Sequence, residues 1–235
     1  MLYQHQDLYL ANQTLYWHGS DKEELYQYNL INNSKMLQQY NWIDCTITYK
    51  FNNHGFRADE FDSEEPSVMF VGCSHTAGIG VPLESSWTHI VSTSLKLKNY
   101  NLGVGGTSND TAFRLAHYWI DRLHPSIVIF LSTEKTRLEL HTIDNTVKDL
   151  SVQYIQNQMF PEATPFMRHW ISNDINSDMN YLKNTLALQQ LCNTRGIKYV
   201  QEEALQIHTL DKARDLQHFG TRTNRRIAAM FLSRL

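Results

Sequence analysis

Pro66-Ser67-Val68-Met69-Phe70-Val71-Gly72-Cys73-Ser74-His75-Thr76-Ala77-Gly78 is the stretch on which the fold turns. Val68 to Val71 form an unbroken apolar run bounded by a proline and a glycine. Such a run suits a strand buried on both faces, as in a parallel sheet. Gly72 then permits a sharp turn. It leaves Ser74 displayed among small residues just past the strand's carboxyl end, where a nucleophile or a helix-capping hydroxyl would stand.

The texture repeats downstream. Helical spacing covers Glu84 to Leu97, Tyr100-Asn101-Leu102 reads as a short strand, and Asn109 to Leu123 reads as a helix. Ile127 to Leu131 is another buried strand. Asn180 to Thr194 is helical with Gly196 as its stop, Lys198 to Gln201 fits a further strand, and an amphipathic helix runs from Thr223 to Leu235. Strands alternating with helices imply right-handed crossovers and a parallel sheet covered on both faces. Ligands of such sheets bind outside the carboxyl ends of the strands.

Two regions depart from this rhythm. Residues 1–65 are rich in Tyr, Asn, Gln and Trp and read as an N-terminal extension packed on a main domain of residues 66–235. Within the extension, Asp21 to Tyr28 is expected to be helical with Ser20 as its cap, and Cys45 to Phe51 to be a strand. Residues 134–177 are polar and poorly periodic, and read as an insertion. Leaving the sheet at its ligand-binding end, the insertion is expected to overhang the site.

Composition narrows the function classes. Lys and Arg number 21 against 24 Asp and Glu, a net charge of -3, so a broad basic footprint for nucleic acid is not expected. Cys45, Cys73 and Cys192 make neither a disulfide framework nor a zinc knuckle. No H-E-x-x-H or clustered carboxylate–histidine set is present, so neither a metal nor another cofactor is expected. No apolar run is long enough to cross a bilayer, and Met1 to Leu15 lacks the basic and apolar regions of a secretory signal. The expectation is a soluble protein made in the cytoplasm, with cytoplasm and virion both open as its place of action.

Three stretches could carry chemistry at one sheet edge: Ser74 after the first buried strand, Asn101-Leu102-Gly103-Val104-Gly105-Gly106 after the second, and Asp215-Leu216-Gln217-His218 near the end. Glycines in such a loop bring backbone N–H groups close to a ligand, although a tight turn explains them equally. Asp and His three apart on one helical turn could orient an imidazole toward a serine, although a solvated Asp beside a capping His is commoner.

Taken together, the blocks resemble the SGNH (GDSL-like) hydrolases. Gly72 to Gly78 matches G-D-S-x-T-x-G except that Cys73 replaces Asp, Asn101 to Gly106 matches N-x-x-x-x-G, and Asp215 and His218 match D-x-x-H. Asn53-x-Gly55-Phe56-Arg57 also looks like the lead-in of some bacterial and phage members. The resemblance implies a three-layer α/β/α sandwich around a parallel sheet and hydrolysis of a small acyl ester. An O-acetylated saccharide is the substrate expected. The resemblance makes Ser74 the nucleophile, His218 the general base and Asp215 its orienting partner, with the Ser74 and Gly106 amides as oxyanion donors.

One block departs. Where the family has G-x-N-D after the third strand, this chain has Ser132-Thr133-Glu134-Lys135. A carboxylate has no proton to donate and repels an oxyanion. The expectation is that Glu134 turns away and pairs with Lys135, Arg137 or Arg57, and that Asn109 completes the hole. A binding or structural subunit that keeps the fold, and an O-acyltransferase, are the alternative readings. The sequence leaves oligomeric state open.

Overall fold

The computed structural model describes residues 10–61, 65–143, 146–152 and 161–235. In chain order its strands are β1 (Thr14–Leu15), β2 (Tyr49–Lys50), β3 (Ser67–Gly72), β4 (Lys98–Asn101), β5 (Ile127–Ser132), β6 (Leu138–His141), β7 (Val147–Leu150) and β8 (Lys198–Glu203). The helices are α1 (Glu23–Asn32), α2 (Ser34–Gln39), α3 (Ser74–Ala77), α4 (Trp87–Leu95), α5 (Asn109–Leu123), α6 (Thr164–Ile171), α7 (Asp174–Asn193) and α8 (Thr221–Leu232).

The central sheet runs β4-β3-β5-β8, with every neighbouring pair parallel. Successive side chains point to opposite faces, which explains why the runs are apolar without a break. Met69, Val71, Val128 and Phe130 pack against α5 and α7 through Leu115, Trp119 and Leu188. Val68, Phe70, Ile129 and Leu131 pack against α4 and α8 through Trp87, Val91, Ile227 and Phe231. Helices therefore cover both faces of the sheet. Fully burying one such side chain contributes about 1.5–3 kcal/mol, so these two layers dominate the stability of the sandwich. Strand order reverses between β3 and β5, and that switch point is where ligands of such sheets bind.

Element ends follow local chemistry. Ser108 caps α5 by accepting from Thr111 N at 3.3 Å. Helix α4 is shorter than its spacing suggests, because Leu83–Ser85 form a 3₁₀ turn before it and Lys96 turns left-handed after it. Helix α7 starts at Asp174, six residues before the expected Asn180. The first half of its inward face is polar: Asn180 and Asn184 both donate to Asp110, at 2.9 and 2.7 Å, and Leu188 and Cys192 follow them into the core. Ile175, Met179, Leu182 and Leu186 face outward instead. An apolar-periodicity reading therefore finds the later turns of this helix and misses its first ones.

In the N-terminal region, only Tyr49–Lys50 of the expected strand pairs, antiparallel to Thr14–Leu15. Leu37, Trp42, Ile47, Tyr49 and Phe51 form a third core with Ala77, Ile79 and Val81, just beyond Ser74, and with Ala213. Of the expected insertion, residues 144–145 and 153–160 lie outside the described residues. The described part is more regular than its polarity suggests. It includes the β6–β7 hairpin, which docks on α5 through the buried Arg114–Glu139 ion pair at 2.8 Å.

His18 packs edge-on against Phe51, its centroid 4.9 Å away. Burial, then the charge of Arg57, hold its imidazole down at about 4 against the pull of Asp21. An unfolded His titrates near ~6.5, so the neutral folded form contributes stability above that pH and loses it as pH falls toward about 4. The expected loss is on the order of 2 kcal/mol. His75, also held neutral by burial, acts in the same sense. Thermal melts between pH 7 and pH 4.5 should therefore show a shallower acid slope for His18→Gln than for the parent. Equal slopes would rule out this account.

Candidate active site

The site begins with the geometry of β3. Gly72 has φ +152°, and a Cβ there would lie 2.5 Å from the carbonyl oxygen of Leu131 on β5. Glycine thus lets the chain leave the sheet at the switch point. Cys73 is extended, and Ser74 opens α3, where the first amides lack intrahelical acceptors. Ser74 Oγ lies 2.7 Å from His218 Nε2, and His218 Nδ1 lies 2.6 Å from Asp215 Oδ2. Ser74, His218 and Asp215 therefore form one continuous hydrogen-bonded row.

Asp215 and His218 do not sit on a helix, contrary to the expectation from their spacing. They occupy a tight turn in which Asp215 Oδ1 accepts the N–H groups of Gln217 and His218, both at 3.0 Å. Leu216 takes φ +57° to close it. The carboxylate thus binds its own turn with one oxygen and the imidazole with the other. Burial works to raise the Asp215 carboxyl, but the hydrogen bond and charge of His218, with Ser20, prevail and hold it at about 2. The ionised carboxylate favours the tautomer with the proton on Nδ1, leaving Nε2 to accept from Ser74.

Residues that spacing did not single out complete this arrangement. Ser20, expected as a helix cap, donates instead to Asp215 Oδ2 at 2.6 Å and lies 3.3 Å from His218 Nδ1. Helix α1 starts later, at Glu23, with Lys22 at its cap position and no side-chain cap. Asp21 forms a buried pair with Arg214, at 2.9 and 2.8 Å, and accepts from Tyr49 Oη at 2.5 Å. Gly80, just beyond α3, donates to Tyr49 Oη and accepts from Arg214 N. Residues 20–21 therefore grip residues 214–215 from the side opposite Ser74. No sequence pattern links positions nearly two hundred residues apart.

On the other side of Ser74 lies the glycine loop. Asn101 orders it, donating to Thr76 O at 2.8 Å and accepting from Gly103 N at 2.9 Å. A Cβ at Gly105 would stand 3.9 Å from that of Ser74, and Gly106 lines the same cleft as Ser74. Asn109 does not take the expected place. It is buried, its Nδ2 donates to Thr133 O at 3.3 Å, and its Oδ1 accepts from Thr133 N at 2.9 Å. Sitting at the first position of α5, it braces the end of β5 and does not point into the cleft.

Glu134 pairs with Arg137 at 3.3 Å. Arg137 Nη1 also donates to Cys73 Sγ at 3.0 Å and to Thr107 O at 3.4 Å. The other two candidate partners are engaged elsewhere. Lys135 reaches Asp178 at 3.4 Å, and buried Arg57 holds Gly78 O at 2.6 Å and Val81 O at 3.0 Å. Cys73 Sγ comes within 3.6 Å of Ser74 Oγ.

Solved structures resemble the chain, two of them as follows. One is a G-D-S-L family protein from Desulfitobacterium hafniense DCB-2, at TM-score 0.36 and 11% identity over 72% of this chain and 99% of that one. The other is the psychrotrophic esterase EstA from Pseudoalteromonas sp., at TM-score 0.37 and 10% identity over 71% of this chain and 94% of that one. No protein-family model matches the chain, and no curated protein does.

The cleft over Ser74 encloses about 840 Å³ and is open to solvent. Ser20, Ser74 and His218 line it together with Thr133, Glu134, Arg137, Lys212 and Gln217. Of the described residues of the expected insertion, only Glu134 and Arg137 belong to this lining. His75 stacks on Phe219 with centroids 3.8 Å apart and meets His218 edge-on at 4.9 Å, so it backs the imidazole. Burial, then the charge of His218, keep it neutral. Among the described residues no group of three or more His, Cys, Asp or Glu could hold a metal, and no helix is long and apolar enough to cross a membrane.

Proposed function

We propose that the protein is a serine ester hydrolase of SGNH type that removes a small acyl group, an O-acetyl on a saccharide, through Ser74, His218 and Asp215. The observation that carries the reading is the Ser74–His218–Asp215 row, 2.7 and 2.6 Å in its two links, at the switch point of a parallel sheet. Ser74 Oγ attacks the acyl carbon as its proton passes to His218 Nε2, and the carbonyl electron pair moves to oxygen. The Ser74 and Gly106 amides receive that charge. Collapse expels the alcohol, which takes the proton from His218. A water then repeats the sequence on the acyl-enzyme, releasing the acid. The cleft's volume and its hydroxyl, amide and ammonium lining suit a polar acceptor larger than the acyl group itself.

The test is incubation with a fluorophosphonate, followed by peptide mass spectrometry and acetate release from O-acetylated oligosaccharides. The expected result is a single adduct on Ser74 that stops release. Acetate release that continues with Ser74 fully labelled would defeat the reading.

A further inference from the structure

We infer that the Arg137 guanidinium is the third oxyanion donor of this site, doing the work for which the Glu134 carboxylate is unfit. The inference rests on the hydrolase reading above and deepens it.

Arg137 touches both loops that carry the backbone donors. Its Nη1 contacts Cys73 Sγ, in the residue before Ser74, and Thr107 O, in the residue after Gly106. The guanidinium thus bridges the Ser74 loop and the glycine loop, while His218 Nε2 holds Ser74 Oγ. Nε is taken by Glu134, which fixes the plane of the group. Nη2 has no hydrogen-bond partner among the described residues, and Arg137 lines the cleft.

The chemistry fits that placement. A guanidinium stays protonated through the reaction, presents five donors in a rigid fork, and strengthens its hydrogen bond as negative charge grows on the acyl oxygen. Glu134 then has a consistent place. It is the anion that orients Arg137 and is kept from the oxyanion by doing so. Thr133, which belongs to the same lining, is the rival donor.

The experiment compares parent, Arg137→Met, Arg137→Lys and Thr133→Val on a neutral acetyl ester and on one bearing a remote carboxylate. It measures kcat, KM and the rate of inactivation by a neutral phosphonate. Arg137→Met is expected to lower kcat on both esters by about 10²–10³-fold, to change KM by less than about 3-fold, and to slow phosphonylation in parallel. Arg137→Lys should recover part of the loss, since it restores the charge without the fork. That recovery also separates a lost donor from a misfolded variant. Unchanged kcat in Arg137→Met overturns the inference. So does a KM increase confined to the anionic ester, which would make Arg137 an anchor for substrate charge, or a kcat loss that follows Thr133→Val instead. Hydrolysis that survives Ser74→Ala overturns the hydrolase reading itself. Loss on Ser74→Ala with parent-like kcat in Arg137→Met overturns this inference alone.

Discussion

Ser74→Ala is expected to lower kcat on a short-chain acetyl ester by at least about 10⁴-fold, with the fold retained. The serine hydroxyl is half-exposed in the cleft and contributes little packing, so stability should change by no more than about 0.5 kcal/mol. His218→Ala should cost about as much as Ser74→Ala, and the double variant little more, because the two residues act on one proton. Asp215→Asn should fall by about 10⁴-fold even with the imidazole in place. An amide at that position can donate to Nδ1, which would favour the tautomer whose proton sits on Nε2 and points at the serine. Stopped-assay kinetics on the four variants, with thermal melts alongside, check all of this. Parent-like turnover in Ser74→Ala would mean that the hydrogen-bonded row is only a structural polar network.

Asp21→Ala should produce the largest loss of stability. Arg214 and Asp21 are buried together, with 3% and 1% of their side chains exposed. Removing the carboxylate strands a guanidinium that also serves Cys45 O and Tyr16 O and lies 4.0 Å above the Trp17 ring. Breaking one partner of such a pair costs about 3–5 kcal/mol, equivalent to a melting temperature lower by roughly 10 °C in a chain of this size. Activity should fall too, because Ser20 and Arg214 flank the lost contact and both hold the turn of Asp215. Replacing the pair together, Asp21→Leu with Arg214→Met, should return part of the stability. Calorimetry of the single and double variants closes the cycle. A double variant as unstable as the sum of the singles would show that the two side chains do not act as a pair.

Arg57 shows how the same economy of contacts extends below the site. Its guanidinium is buried against the Tyr49 ring at 4.5 Å and holds the carbonyls of Gly78 and Val81. The chain that leaves α3 is therefore pinned by a cation from the N-terminal region, whereas Glu134 takes its cation from beyond β5. The two arginines end in unrelated jobs because one is enclosed by the third core and the other opens to the cleft.

The sheet and the order of its parts follow from the chain's own apolar pattern. Apolar runs such as Val68 to Val71 and Ile127 to Leu131 need cover on both faces, and the helical spacing from Asn109 to Leu123 shows what supplies it. Ser74, Asp215 and His218 were legible only as a set, because each local signal alone fits a cap or a solvated side chain and only the order of the three blocks resembles the SGNH hydrolases. What surrounds them is set by packing between distant segments. Helix α7 buries asparagines against Asp110 and so hides its first turns from any apolar count. Asn109 is spent on Thr133, because its place at the start of α5 faces the end of β5. Ser20, Asp21 and Arg137 reach the site through contacts between distant segments, where each local sequence supports a cap, a surface carboxylate or a solvated cation equally well. Such contacts exist only after the chain has closed, because their partners are chosen by packing and not by neighbours along the chain.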